Sequence, residues 1–206
     1  MHKEIKLRSK RNNVFRIVED ENTYILKRFE NFENYIREKE VLSILKKAGV
    51  NVPSIIKAEE NYLYLEDLGE VNFLDWYEEQ EKNNALDISM VYELCSWFKD
   101  FYSAVFEFYK KQFILYDVNF KNFIICDNKV YGIDFELVRP GHIEEDAGRL
   151  SAFALTYNPS MTEWKMDFRN ILINILSNEL NIEKEKIISE EKKELAAIKK
   201  RRGAFS

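Results

Sequence analysis

The stretch of sequence that decides the fold is ILYDVNFKNFIICDNKVYGIDFELVR, residues 114–139. Two short apolar runs within it, Phe123–Cys126 and residues 130–133, are rich in residues that favour strands. The pair Asp127-Asn128 between them is typical of a tight turn, so the segment predicts a β-hairpin. A hairpin of this length starts and ends on the same side, and polar residues stand at both places.

Three polar side chains flank the predicted hairpin, with Asp117 and Asn122 before it and Asp134 after it. Asn122 stands at its start and Asp134 at its end, while Asp117 lies one loop turn earlier. Two carboxylates and an amide at one end of the hairpin can hold a divalent cation, because hard cations bind oxygen ligands. The stretch therefore predicts a cation site at this end of the hairpin.

The spacing of these polar residues resembles the catalytic and metal-binding segments of the protein-kinase-like fold, D-x-x-x-x-N followed by D-F. Within that superfamily, Ile-Asp-Phe-Glu at residues 133–136 resembles the aminoglycoside phosphotransferase and choline kinase branch. Asn119, two residues after Asp117, also resembles that branch. The resemblance implies that Asp117 is the catalytic base and that Asn122 and Asp134 hold Mg²⁺ against the phosphates of ATP.

The composition is that of an ordered globular protein, with 206 residues, 46% hydrophobic and 33% charged. A net charge of -5 gives no basic character that would indicate a nucleic-acid partner. Cys95 and Cys126 both lie in apolar runs, which favours reduced, packed thiols over a disulfide or a zinc site. No apolar run approaches the roughly 20 residues of a membrane span, and the N-terminus lacks an apolar signal core. We therefore expect a cytoplasmic protein.

The N-terminal residues 3–29 are β-rich, with runs at residues 14–18 and 23–29 separated by a polar turn. In the second run, Lys27 shares one face of the predicted strand with Ile25 and Phe29. A lysine in this position either protects a sheet edge from aggregation or points inward to a partner.

A helix is predicted for Phe32–Lys47, in which Glu38 lies on the apolar stripe of Tyr35, Leu42 and Leu45. An inward glutamate soon after an inward lysine suggests a mutual ion pair. In the family that the chain resembles, such a pair directs the lysine to the α- and β-phosphates, which assigns those roles to Lys27 and Glu38. The alternative for Glu38 is a solvated helix face of mixed charge.

Residues 54–58 and 61–65 predict two more strands. Five strands with a helix after the third is the element order of the N-terminal lobe of the kinase-like fold. The next segment, Glu66-Asp67-Leu68-Gly69, resembles the hinge of the phosphotransferase branch, whose backbone binds adenine. The alternative is an ordinary turn between a strand and a helix.

The rest of the chain predicts helices at residues 72–82, 88–111, 145–157, Glu163–Leu180 and 182–202. The helix of residues 88–111 has a wide apolar stripe, which we assign to the core: Val91, Leu94, Cys95, Phe98, Phe101, Tyr102, Val105 and Phe108. Asp146 could cap the next helix, and it also resembles the acidic residue that supports the catalytic loop in this family. The basic residues 199–202 are interpreted as a solvated helix end in preference to a contact with an anionic surface.

Together these features predict a two-lobed α+β fold of the protein-kinase-like type. Its N-terminal nucleotide-binding lobe would be residues 1–66, and its mainly helical catalytic lobe, residues 67–206, would be shorter than in the family. The sequence departs from the family in two places. RSKRNN, residues 8–13, replaces the glycine-rich loop, where the backbone of Asn12 and Asn13, helped by Lys10 and Arg11, is the candidate phosphate cradle. Tyr116 stands where the family has histidine.

The function that the resemblance implies is ATP- and Mg²⁺-dependent transfer of the γ-phosphoryl group to a hydroxyl of a small molecule. Glu136 is an additional, weaker candidate near the metal. Two alternatives stay open. The absent glycines and Tyr116 favour a catalytically weak kinase-like module that binds nucleotide, and the short C-terminal lobe would suit a protein kinase or a lipopolysaccharide-sugar kinase of the same fold.

Overall fold

The computed structural model describes residues 2–203 except residues 8, 10 and 21. Its strands are β1 (His2–Leu7), β2 (Asn13–Glu19), β3 (Asn22–Arg28), β4 (Ile55–Glu59), β5 (Tyr62–Glu66), β6 (Phe113–Ile114), β7 (Phe123–Cys126), β8 (Lys129–Gly132) and β9 (Arg139–Pro140). Its helices are α1 (Phe32–Lys47), α2 (Phe73–Lys82), α3 (Ile88–Tyr109), α4 (Ile143–Thr156), α5 (Glu163–Leu180) and α6 (Lys184–Gly203). A five-stranded antiparallel sheet and six helices in this part of the chain confirm the predicted α+β class.

The large sheet has the strand order β1-β2-β3-β5-β4, and every neighbouring pair is antiparallel. β3 is therefore the central strand, paired with β2 on one side and β5 on the other. Its register places Lys27 opposite Val14 on β2 and Leu63 on β5. Because a central strand has no open edge, Lys27 does not protect a sheet edge.

α1 begins and ends at the residues that the sequence predicts. The side chain of Asn31 caps the helix by accepting the backbone N–H groups of Glu33 and Asn34. The helix packs against β4, β5 and α3 with a stripe of buried side chains: Tyr35, Glu38, Val41, Leu42 and Leu45. Glu38 is therefore buried with the apolar residues of its stripe and is not on a solvated face.

β7 and β8 form the predicted hairpin, although β8 begins one residue earlier than expected. Asp127 and Asn128 both have positive φ, 50° and 58°, which is the conformation of a type I′ turn. The register pairs Phe123 with Gly132 at the open end of the hairpin. A second, shorter pairing joins β6 to β9 and places Ile114 opposite Arg139. The first and last residues of the stretch 114–139 are therefore neighbours in the fold.

The core of the helical part is built around the apolar stripe of α3, and its rings stack on those of the hairpin. Trp97 is stacked with Phe101 and Phe135, and its edge contacts Phe123. One predicted core residue is misplaced, because Phe108 is 56% exposed. Phe108 lies in the last turn of α3, which ends at Tyr109, and Lys110 follows with a left-handed φ of 52°.

The last three helices pack together, with α4 in contact with both α5 and α6. α4 begins at Ile143, and His142 is its N-cap residue. The prediction that Asp146 caps this helix is therefore wrong, since Asp146 lies a full turn inside it. Within the described residues, no helix combines the length and apolar character that crossing a membrane requires.

Candidate functional site

Lys27 lies at the centre of a cluster of carboxylates between the large sheet, α1 and the segment after the hairpin. Its side chain is 7% exposed, and Nζ donates to Glu38 Oε2 at 2.5 Å and to Asp134 Oδ1 at 2.8 Å. Glu136 Oε2 is 3.9 Å from the same nitrogen. The structure thus brings together Lys27, Glu38 and Asp134, which the sequence assigned to one site from three separate segments.

The charges in this cluster are unequal, because one ammonium group faces three carboxylates. Burial alone would lower the pKa of Lys27, but Glu38, Asp134 and Glu136 together raise it above its usual value. Burial raises the pKa of the Glu38 carboxyl more than Lys27 lowers it, and the neighbouring carboxylates add to the rise. The surroundings therefore hold Lys27 in its charged form and still leave negative charge in excess.

Glu38, Asp134 and Glu136 also satisfy the distance requirement for a cation site, since their carboxylate oxygens lie within 4.8 Å of one another. The position between them is taken by the Lys27 ammonium group. A divalent cation would therefore bind on the outer side of Asp134, where the residue is partly exposed. Glu38 is thus the partner of Lys27, and Asp134 as a metal ligand stays a prediction.

Asp117 is held in a loop whose shape depends on Asn122. Asn122 Nδ2 donates to the backbone carbonyl of Asp117 at 2.9 Å, and the Asn122 carbonyl accepts the N–H of Ile133 at 2.9 Å. Asn122 thereby links the loop to the residue before Asp134. Its amide nitrogen is engaged in this contact, so its side-chain oxygen is the atom that could bind a cation.

The loop between β1 and β2 closes over the site through Arg11 and Asn12. Arg11 Nη1 donates to Asp117 Oδ2 at 2.9 Å and to Glu136 Oε1 at 3.4 Å, and Asn12 Nδ2 donates to Glu136 Oε2 at 2.5 Å. The sequence predicted a backbone cradle here, but the Asn12 N–H already donates to Ser9 Oγ, and Asn13 belongs to β2. Lys10, which was also predicted to help here, lies outside the described residues.

Sequence reasoning undervalued Glu136, which receives side-chain hydrogen bonds from both Arg11 and Asn12 and is buried. The signal that could have ranked it higher is its position in Asp-Phe-Glu. Glu136 stands two residues after Asp134, whose φ is 67°, and both carboxylates lie near Lys27 Nζ. The contact of Arg11 with Asp117 has no such sequence signal, because 106 residues separate the two.

The predicted hinge is engaged largely in its own hydrogen bonds. The Glu66 N–H donates to the Ser54 carbonyl, and the Glu66 carboxylate accepts the N–H and Oγ–H of Ser54, which lowers its pKa. Asp67 pairs with Arg16 at 2.7 Å and accepts the N–H of Gly69. The Glu66 N–H is therefore already engaged, whereas the contacts of Asp67 named here involve its side chain, so adenine binding by the backbone at Asp67 and Leu68 stays a prediction.

Asp146 holds the segment that precedes Asp117. Its carboxylate accepts the N–H groups of Leu115 at 2.7 Å and Tyr116 at 3.0 Å, and the hydroxyl of Tyr102 at 3.0 Å. Tyr116 has a φ of 68°, a conformation that a non-glycine residue adopts only when its surroundings hold it. Burial raises the pKa of Asp146 to about 6 despite these hydrogen bonds.

Comparison with known proteins gives a likeness of fold. A solved structure of an amicoumacin kinase, hAmiN, in complex with AMP-PNP, Ca²⁺ and Ami, matches with a TM-score of 0.65 and 12% sequence identity. The match covers 86% of this chain and 72% of that chain. No protein-family model and no curated protein matches the sequence. At this identity the likeness concerns the fold alone, and it shows that the chain has a kinase-like fold with a shortened C-terminal part.

Proposed function

We propose that this protein is an ATP- and Mg²⁺-dependent phosphotransferase that moves the γ-phosphoryl group to a hydroxyl of a small molecule. The observation that carries the proposal is the meeting of Lys27 with Glu38 and Asp134, although Lys27 and Asp134 are 107 residues apart in sequence. A buried lysine with this pair of partners is the arrangement that phosphoryl transfer requires for holding nucleotide phosphates. The solved kinase of the same fold, whose complex contains AMP-PNP and Ca²⁺, supports the proposal.

In the proposed reaction, each residue acts mainly by position and charge. Lys27, oriented by Glu38, binds the α- and β-phosphates. Asp134 and the side-chain oxygen of Asn122 hold Mg²⁺, which when bound neutralises charge on the phosphates. Asp117 accepts the proton of the attacking hydroxyl, or orients its oxygen for in-line attack.

Arg11 must leave Asp117 before an acceptor hydroxyl can reach that carboxylate. The phosphates of an incoming nucleotide offer Arg11 a stronger set of oxygen acceptors than one half-exposed carboxylate. We therefore propose that Arg11 moves from Asp117 to the phosphates. This would supply with a guanidinium group some of the phosphate binding that a glycine-rich loop supplies with backbone N–H groups.

The same assignment of residues divides the chain into two lobes. We propose that residues 1–66 form the nucleotide-binding lobe and residues 67–206 the catalytic lobe. The boundary lies at the end of β5, and Lys27 and Glu38 come from the first part while Asp117, Asn122 and Asp134 come from the second.

A second candidate function is a kinase-like module that binds nucleotide with little turnover. The specific observation in its favour is the ion pair between Arg11 and Asp117, because a carboxylate that stays paired with a guanidinium group is not free to contact an acceptor hydroxyl. The two functions differ in turnover and agree in nucleotide binding, so one set of measurements separates them.

The deciding experiment measures nucleotide binding and turnover in the same preparations. Binding is followed by thermal shift with ATP alone and with ATP plus Mg²⁺, and turnover by ADP release against a panel of alcohols. We expect Asp117→Asn to lower turnover by roughly 10²- to 10⁴-fold, the usual contribution of general-base catalysis, with nucleotide binding retained. Asp127→Asn is the matched control, since Asp127 lies in the hairpin turn at a φ that asparagine also tolerates.

Two results would contradict the proposal. A thermal shift without turnover, unaltered by Asp117→Asn, would assign the chain to the binding module. Turnover that survives Asp117→Asn at the wild-type rate would show that Asp117 is not the base.

A further inference from the structure

We infer that Arg139 and Tyr116 form a binding site for a carboxylate or phosphate group, and that the acceptor of the reaction is therefore a hydroxyl compound that also carries such an oxyanion. The acceptor part of the inference rests on the proposed function. The site itself rests on the geometry of these two side chains beside Asp117.

Tyr116 is a fixed and accessible ring next to the candidate base. It directly precedes Asp117 in the chain, and its N–H is held by the buried carboxylate of Asp146. The residue is 36% exposed. Its backbone is held in a left-handed conformation outside any helix or strand, and this fixes the direction in which the side chain leaves the backbone.

Arg139 lies over this ring, with its guanidinium carbon 3.3 Å from the ring centroid. The pairing of β9 with β6 fixes its position, since Arg139 is opposite Ile114, two residues before Tyr116. It follows Asp134 by five residues in the chain. Arg139 is therefore attached to both segments that carry the proposed chemistry, and it contacts the residue directly before Asp117.

The charge on Arg139 has no carboxylate partner among the residues that the structure describes. Arg149, whose guanidinium carbon is 4.7 Å from the centre of the same ring, is by contrast paired with Glu145 and Asp146. Arg139 is exposed, so its outward N–H groups face solvent. Two guanidinium groups therefore lie at the ring of Tyr116. That of Arg149 is paired with carboxylates, and that of Arg139 has no carboxylate partner among the described residues.

A guanidinium group stacked on an aromatic ring keeps its planar edge available for two parallel hydrogen bonds to an oxyanion. Stacking also reduces the number of rotamers that binding must fix, so less entropy is lost. A cationic acceptor would be repelled by the same group. The chemistry at this position therefore selects an anionic acceptor over a neutral or a positively charged one.

The first test is direct binding to the full chain, independent of turnover. The Nε–Hε resonance of Arg139 is followed by NMR during titration with glycerol 3-phosphate, glycerate or glycerol, and it is assigned by its loss in Arg139→Gln. We expect the two anions to shift this resonance and glycerol to leave it unchanged. Binding of AMP-PNP with Mg²⁺ is measured separately on the same samples.

The second test is ADP release with the same three compounds as acceptors. We expect Arg139→Gln to raise KM for the anionic acceptors by about ten- to a hundredfold, the effect of losing hydrogen bonds to a charged group, without changing KM for ATP. Arg139→Lys should restore part of the loss, because the charge returns without the planar fork. Lys192→Gln, on the exposed face of α6, is the matched charge control and should match wild type.

The outcomes separate this inference from the proposed function. If AMP-PNP binds and ADP is released as readily with glycerol, with no effect of Arg139→Gln, the oxyanion site is wrong and the phosphotransferase stands. If the anions shift the Arg139 resonance while AMP-PNP does not bind, the site stands and the phosphotransferase is wrong. Absence of any anion-dependent shift overturns the inference.

Discussion

Replacing Asp146 with asparagine tests how the catalytic loop is supported. The carboxylate of Asp146 is fully buried and accepts four hydrogen bonds, from the N–H groups of Leu115 and Tyr116, the hydroxyl of Tyr102 and the guanidinium group of Arg149. Asparagine has nearly the same shape, but it has one acceptor oxygen and does not ionise. The change therefore removes the charge and leaves the volume of the side chain almost unaltered.

The expected size of the effect comes from the pKa of Asp146. Burial raises it from 3.8 to about 6, so the folded protein binds this proton more tightly than the unfolded chain does. The resulting stability is fully present below the unfolded value and is lost as the pH rises through the folded value. A rise of about two pKa units corresponds to about 3 kcal/mol, without a discount for solvent because the group is buried.

The assay is urea unfolding of wild type and Asp146→Asn, followed by tryptophan fluorescence at several pH values between about 4 and 8. We expect the stability of wild type relative to the variant to fall by about 3 kcal/mol between pH 4 and pH 7. Asp100→Asn, an exposed carboxylate on α3, reports the effect of removing one surface charge. In the turnover assay, Asp146→Asn should lower kcat, because the segment before Asp117 loses hydrogen bonds.

The sign of the pH dependence decides whether this reasoning is correct. If the stability of wild type relative to the variant rises from pH 4 to pH 7, the hydrogen bonds to the ionised carboxylate outweigh the cost of its burial. The pKa of Asp146 would then be lowered, and the account of its surroundings given above would be refuted.

Two further substitutions test other parts of the structure. Arg11→Ala removes a partly exposed ion pair and should change the free energy of unfolding by at most about 1 kcal/mol. If Arg11 moves to the phosphates, the same variant should bind ATP with Mg²⁺ roughly tenfold more weakly by calorimetry, and an unchanged affinity would contradict that movement. Gly132→Ala would place a Cβ atom 2.1 Å from the ring of Trp97. We expect it to cost about 1–3 kcal/mol in thermal unfolding, whereas Lys129→Ala on the same strand should have little effect; equal stabilities would show that the core yields at this point.

The sequence predicted those parts of the fold that depend on neighbours in the chain. The helix α1 was predicted from a regular apolar stripe, which is a local pattern. The hairpin follows from Asp127-Asn128, which tolerate the positive φ values of its turn. Such features are encoded within a few residues and survive any tertiary arrangement.

The predictions that failed depend on contacts between distant segments. Phe108 belongs to the apolar stripe of α3 by spacing, yet it is exposed in the last turn of that helix. Asp146 has the residue type of a helix cap, but its carboxylate faces Leu115 in the catalytic loop. In both cases the local pattern was read correctly and the tertiary packing decided the outcome.

The contact between Lys27 and Asp134 was predicted partly from local pattern and partly from the resemblance. The periodicity of β3 and α1 predicts that Lys27 and Glu38 point inward, but nothing in either segment indicates that Asp134 joins them. That contact was expected only because of the resemblance in the segment around Asp117. The local pattern thus predicted that Lys27 and Glu38 point inward, and the resemblance predicted that they lie near Asp134.

The balance of charge in the site gives a physical reason to expect that the proposed nucleotide binding needs a divalent cation. The described part of the site contains two cationic side chains and four carboxylates: Lys27 and Arg11, with Glu38, Asp117, Asp134 and Glu136. Four negative charges against two positive charges leave an excess of two when all groups are ionised. Nucleotide alone would add anionic phosphates to this excess, whereas a divalent cation carries the two missing charges. We therefore attribute nucleotide binding to ATP and the cation together, which is why the thermal shift must be compared with and without Mg²⁺.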